Sequence, residues 1–208
     1  MGTLPLWLAG DNAALEERAD EMGALATEQG FVSWRALGTI YRGWLTVKNG
    51  DVMEGVSLLR SGSISSRATG ANVWRPYHAA LLAAACEIAG EIEEALAQLD
   101  DALEIVARTG VCWLTAELSG HKARLLQRQG HAEAAEELLR QTLSIAEEQG
   151  AKLWELRAAV SLAQLQRDQG RRAEARELLA PVYGWFSEGF DTPDLKEARA
   201  LLDELGGA

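Results

Sequence analysis

The chain has 208 residues, 48% of them hydrophobic and only 4 of them proline, with a formal net charge of −11 and a pI near 4.8. A surface of that sign repels phosphate backbones and anionic lipid, so nucleic acid and membrane are excluded as default partners. Ala, Leu, Glu and Arg, with Gly, are the commonest residues and β-branched runs are few, which is the vocabulary of an all-α protein.

The opening MGTLPLWLAGD is apolar, but it is too short and lacks the basic start of a signal peptide. No 18-residue apolar run is present to span a membrane, so a cytoplasmic location is expected. Asp11 to Gln29 reads as one helix, with only LPLWLA before it where a full partner helix belongs. Leu4, Leu6, Trp7 and Leu8, with Leu15, Met22 and Leu25 behind them, predict an apolar patch there. A homodimer through this N-terminal end is the natural way to cover it.

Glycine then recurs every 20 residues: Gly10, Gly30, Gly50 and onward to Gly170, nine times. A glycine just past a helix end supplies the left-handed cap, so each interval reads as a helix of about 16–18 residues and a tight turn. Acids follow at once, as in Gly50-Asp51 and Gly90-Glu91, where they suit the positive N-terminus of the next helix.

The true period is 40. After Gly50, Gly90, Gly130 and Gly170, a small residue stands five positions on (Gly55, Ala95, Ala135, Ala175) and leucine nine on (Leu59, Leu99, Leu139, Leu179). Seven before each stands another small residue: Gly43, Ala83, Ala123, Ala163. Trp34, Trp74, Trp113 and Trp154 open the four units and are expected to fill the layer between repeats. One such hairpin cannot bury its apolar face alone, whereas stacked hairpins can. The expected organisation is a single repeat domain over 1–208. It comprises a half repeat at 11–30, full repeats at 31–70, 71–110, 111–150 and 151–190, and a C-terminal cap helix at 191–208. Thr192 and Pro193 supply the start of that last helix.

No GxxxxGK[ST] or GxGxxG sequence is present to cradle a nucleotide. His78, His121 and His131 fall in different half-repeats, without the converging ligands a metal needs. Ser119-x-His121 is no triad signature, and Glu93/Glu94 and Glu136/Glu137 read as solvated helix faces. Cys86 and Cys112, without CxxC spacing, read as reduced core thiols. No cofactor, metal site or enzymatic activity is expected.

The ladder Ala83, Gly90, Ala95 and Leu99, with its counterparts in the other units and the next small position at Gly62, Ala102, Thr142 and Val182, resembles the tetratricopeptide (TPR) repeat. The period is 40 rather than 34, and Arg67, Ala107, Glu147 and Ser187 replace the closing proline of that family. The resemblance implies a right-handed α–α superhelix, a TPR-like solenoid of about ten antiparallel helices. The strings from Glu17 to Leu45 and from Trp154 to Leu205 also resemble the C-terminal helical region of bacterial multidomain proteins. Those proteins join a class III nucleotide cyclase or DNA-binding domain, an AAA-type ATPase domain and such a repeat region. This second resemblance implies a regulatory or scaffolding part of a bacterial signalling protein. The cyclase and ATPase segments are not among these 208 residues, so their activities do not carry over.

In TPR-like arrays the first helices line a concave groove. Carried over by resemblance, the groove positions are Leu37, Tyr77, Glu117 and Arg157; Trp44, Ala84, Arg124 and Gln164; and Val47, Glu87, Gln127 and Arg167. The candidate binding residues are therefore Trp44, Tyr77, Glu117, Arg124, Arg128, Arg157, Gln164 and Arg167, with the arginines placed to hold a carboxylate or acidic peptide. As surface residues, these arginines are expected to matter little for folding. Binding of a protein or peptide partner is the leading expectation; sensing of a small effector for an attached cyclase, ATPase or DNA-binding domain is the alternative.

Overall fold

A computed structural model describes Leu6 and residues 11–70, 73–110 and 112–207. These hold ten α-helices and no strand: α1 (Asn12–Glu28), α2 (Val32–Lys48), α3 (Val52–Ala68), α4 (Arg75–Ala89), α5 (Ile92–Thr109), α6 (Thr115–Arg128), α7 (Ala132–Glu148), α8 (Lys152–Asp168), α9 (Arg172–Gly184) and α10 (Pro193–Gly206). No described helix is long and apolar enough to cross a membrane. The chain divides into two compact units, Met1–Val111 and Cys112–Ala208.

The glycine clock is visible in the backbone. Gly30 and every twentieth residue from it to Gly170 have positive φ, between 63° and 103°, closing the helices where a side chain would be strained. Asp51 then caps α3, its carboxylate accepting from the Glu54 amide at 3.4 Å, and Asp11 does the same for α1 from Ala14 at 3.1 Å.

Within the first unit α1 packs on α2, α2 on α3, α3 on α4 and α4 on α5, and the first helices α2 and α4 also touch. The second unit repeats the scheme, with α6 on α8 and α8 on α10 as its row of first helices. The residues of the ladder are the contact points. Ala83, Ala95, Leu99, Ala123, Ala135, Leu139, Ala163, Ala175 and Leu179 are all fully buried. Burying one leucine side chain contributes about 1.5–3 kcal/mol, so the recurring leucine holds each hairpin shut.

Four details depart from the sequence reading. Trp34, in the first turn of α2, and Trp74, the residue before α4, are 54% and 48% exposed instead of filling the layer between hairpins. Cys86 is buried as expected, but Cys112 is exposed in the segment before α6, where its carbonyl accepts from Gln149 Nε2 at 2.8 Å. Thr192 precedes α10, yet its hydroxyl donates back to the Gly189 carbonyl at 2.7 Å instead of capping the helix; Pro193 at the first position suffices. Glu94 and Glu136 are not merely solvated: they accept from Arg60 on α3 and from Arg171, the residue before α9, at 2.6 Å.

Candidate binding site

α8 is the middle first helix of the second unit, and it shows Leu156, Arg157, Val160, Ser161 and Gln164 along one face, the spacing of one helical stripe. With Arg124 from α6 and Asp194 and Glu197 from α10, they line a half-open recess of about 260 Å³. The structure thus brings together three of the eight candidate residues: Arg124, Arg157 and Gln164.

Arg157 is already held. Its Nε and Nη2 donate to the two oxygens of Asp194 at 2.6 and 3.1 Å, and Nη1 donates to both oxygens of Glu117 at 3.2 Å. Burial alone would lower its pKa, but the Glu117 charge and the Asp194 hydrogen bond outweigh burial and raise it. Glu117, only 8% exposed, is therefore an internal counter-ion rather than a ligand contact. Gln164 Nε2 donates to Glu197 Oε1 at 2.9 Å, and Arg167 pairs with Glu204 at 2.9 Å and with Asp168 at 2.8 Å. Three of the expected groove residues are thus tied to the acidic cap helix.

Arg124 differs. It is half-buried at the recess and forms no ion pair among the described residues, so its guanidinium is the one lining cation still open to a carboxylate. Arg128 is exposed near the end of α6 and does not line the recess. Trp44 and Tyr77 belong to the first unit and are core residues. Trp44 is 8% exposed, with Lys48 Nζ 5.4 Å from its ring centre. Tyr77 is fully buried, its ring 6.3 Å from Tyr41 and 6.5 Å from Trp74. Burial, reinforced by Tyr41, pushes its hydroxyl pKa far above the ordinary range.

Asp194, Glu197, Leu156, Val160 and Ser161 are lining residues that the groove reasoning missed. A signal for the acids existed: Asp194, Glu197 and Glu204 follow Arg157, Gln164 and Arg167 by 37, 33 and 37 residues, close to one repeat.

Cys86, Glu91 and Glu94 place ligand atoms within 4.8 Å of one another, the one such metal-capable trio among the described residues. Arg60 sits on it, however, donating to Glu91 and Glu94 at 2.6 Å, so a guanidinium already supplies the cation. Burial, with the Glu94 charge, pushes the Cys86 thiol up to about 12, away from the thiolate a metal requires.

No protein-family model and no curated protein matches this sequence. Its fold is that of the TPR-like helical repeat proteins. BtubC (BKLC) from P. vanneervenii is similar in structure, with a TM-score of 0.69 and 15% identity over 100% of this chain and 91% of the other. A kinesin light chain-like protein of Podosopora anserina with nearly identical TPR-like repeats gives 0.62 and 20%, over 99% and 93%. MamA gives 0.53 and 13%, over 100% and 98%.

Proposed function

We propose that this chain is a protein–protein interaction module, without catalysis of its own, that receives a partner segment on the first helices of its second unit. The observation that carries the reading is Arg124, an unpaired guanidinium at the edge of a recess floored by Leu156, Val160 and Ser161. A guanidinium beside a small apolar floor suits an acidic side chain flanked by an aliphatic one. The expected three-arginine clamp reduces to this single arginine, since Arg157 and Arg167 serve the cap helix. At about 260 Å³ the recess falls below the roughly 300–1,000 Å³ typical of drug-sized ligands, which favours a peptide over a small effector.

The wider setting is part of the same proposal: one continuous repeat domain, a scaffold in the cytoplasm of a bacterium, regulating attached signalling domains. It rests on the unbroken 40-residue period and on the resemblance of the end segments to cyclase- and ATPase-linked repeat regions. Self-association through the N-terminal end also belongs here. Leu4, Trp7 and Leu8 lie outside the described residues, Leu25 is 60% exposed, and Leu15 is fully buried and takes no part.

Selection of a random peptide display library against the full chain tests the reading. Acidic peptides are expected to be enriched and to lose binding to Arg124→Glu, by roughly 1–3 kcal/mol for the lost charge-assisted contact. A library that yields no binders, or binders indifferent to Arg124→Glu, removes the proposal.

A further inference from the structure

In the first unit, well away in sequence from Arg124, three helices turn polar side chains towards one small recess. α3 contributes Ser63 and Arg67, α4 contributes Arg75 and His78, and α5 contributes Gln98 and Asp101, with Ala79 as an apolar wall. Each pair is three or four residues apart, so each shares a helix face. Ser63 is 7% exposed and His78 5%. Among the described residues neither Ser63 Oγ nor His78 Nε2 has a hydrogen-bond partner, although buried polar atoms are nearly always paired. Ser63 even forgoes the bond to the preceding turn that a helical serine commonly makes. Arg67, at the exposed end, forms no ion pair among the described residues. Three groups without partners therefore meet at one void.

The void measures about 20 Å³, enough for one oxygen-sized group, since a water needs roughly 10–15 Å³. A lone water would answer Ser63 and His78 but leave Arg67 idle. Around the mouth stand two guanidiniums against one carboxylate, and that carboxylate, Asp101, is engaged by Arg75 at 3.5 Å. The rim is thus locally positive in a strongly acidic protein.

We propose that this recess is a carboxylate-binding site, with one carboxylate oxygen seated between Ser63 Oγ and His78 Nε2 and the other at the mouth, facing Arg67 and Gln98. The inner oxygen accepts from the serine hydroxyl and from the Nε2–H tautomer of a neutral imidazole. The outer oxygen takes the charge-assisted bond from Arg67. The site does not depend on the recess at Arg124, and it gives the first unit a ligand chemistry of its own.

Histidine-selective NMR of the full chain at pH 7, titrated with sodium formate against sodium chloride at matched ionic strength, tests it. The expected result is a saturable, formate-specific shift of the His78 ring resonances. Affinity should fall roughly tenfold in Arg67→Gln, an exposed change that leaves the fold intact, and further in Ser63→Ala. A capped Ala-Glu-Ala tripeptide run in parallel distinguishes the source. Comparable binding points to a partner's side chain, and binding of formate alone to a free small acid. A His78 signal that responds equally to chloride and formate, as with water alone in the recess, overturns the proposal. So does an affinity unchanged by Arg67→Gln.

Discussion

Small differences at single positions set the sign of an effect. In the first full hairpin the small ladder residues Gly43, Gly55 and Gly62 are all glycines, and α2 and α3 approach so closely that a Cβ on Gly55 would lie 2.6 Å from Val47 N and 2.7 Å from Gly43 O. Glycine to alanine in a helix interior ordinarily stabilises by about 1 kcal/mol, but overpacking costs about 1–3 kcal/mol and here wins. Gly55→Ala is therefore expected to lower the urea midpoint. Gly120→Ala, whose Cβ would meet Thr142 Cγ2 at an ordinary 3.6 Å, is expected to raise it. His78 gives a second residue-scale expectation. Burial lowers its pKa to about 4, whereas the unfolded imidazole titrates near 6.5. Between those values the unfolded state binds more protons, so stability falls as pH drops from about 6.5 to about 4, by roughly 3 kcal/mol in full. Urea denaturation across that window, in carboxylate-free buffer, should show this slope in the wild type and lose its histidine part in His78→Leu. Carboxylates titrate in both proteins and cancel in the difference.

At the scale of elements, the cap helix decides how the candidate site is wired. Leu195, Ala198, Leu201 and Leu205 of α10 are buried against Leu156, Ala159, Val160, Ala163, Ala175 and Leu179. Asp194, Glu197 and Glu204 then take up Arg157, Gln164 and Arg167. Arg157 joins three first helices, through Glu117 on α6 and Asp194 on α10. The surface role expected of it from the sequence gives way to a structural one. Arg157→Ala leaves Glu117 buried without its cation, and breaking such a pair costs roughly 3 kcal/mol. Denaturant midpoints should show this loss for Arg157→Ala, against a change within about 0.5 kcal/mol for Arg124→Ala, which breaks no pair. Equal effects of the two changes would contradict this wiring. α9 marks where the repeat gives out. Pro181 lacks an amide hydrogen, the helix stops at Gly184, and the chain reaches α10 through residues 185–192, whose positive-φ glycine, Gly189, falls off the 20-residue spacing.

At the scale of the molecule, the second unit carries its own core. Besides the cluster at the cap helix, Ala123, Ala135, Leu139, Leu162 and Leu165 form another, and both lie within 112–208. Repeat proteins draw stability from neighbouring units rather than from one global core, so the fragment 112–208 is expected to fold alone. A helical circular dichroism spectrum with a cooperative thermal transition checks this; a coil-like spectrum refutes it. The purified full chain is further expected to show neither ATP hydrolysis nor cyclic-nucleotide formation, measurable by phosphate release and by mass spectrometry of the products.

The repeat was legible from the residues because its causes are local. A left-handed turn admits glycine, a close helix contact admits Gly or Ala, and both recur at fixed offsets whatever the rest of the chain does. Element count, boundaries and the buried ladder follow from that. The site was legible only as a set of positions. Which arginine is free depends on which carboxylates lie across the helix row, and Asp194 and Glu117 reach Arg157 from 37 and 40 residues away. The exposure of Trp34 and Trp74, the burial of Tyr77, and the convergence of Ser63, Arg67 and His78 are likewise products of packing. Periodicity places a side chain on a face of its helix, but only the neighbouring helices determine what that face meets.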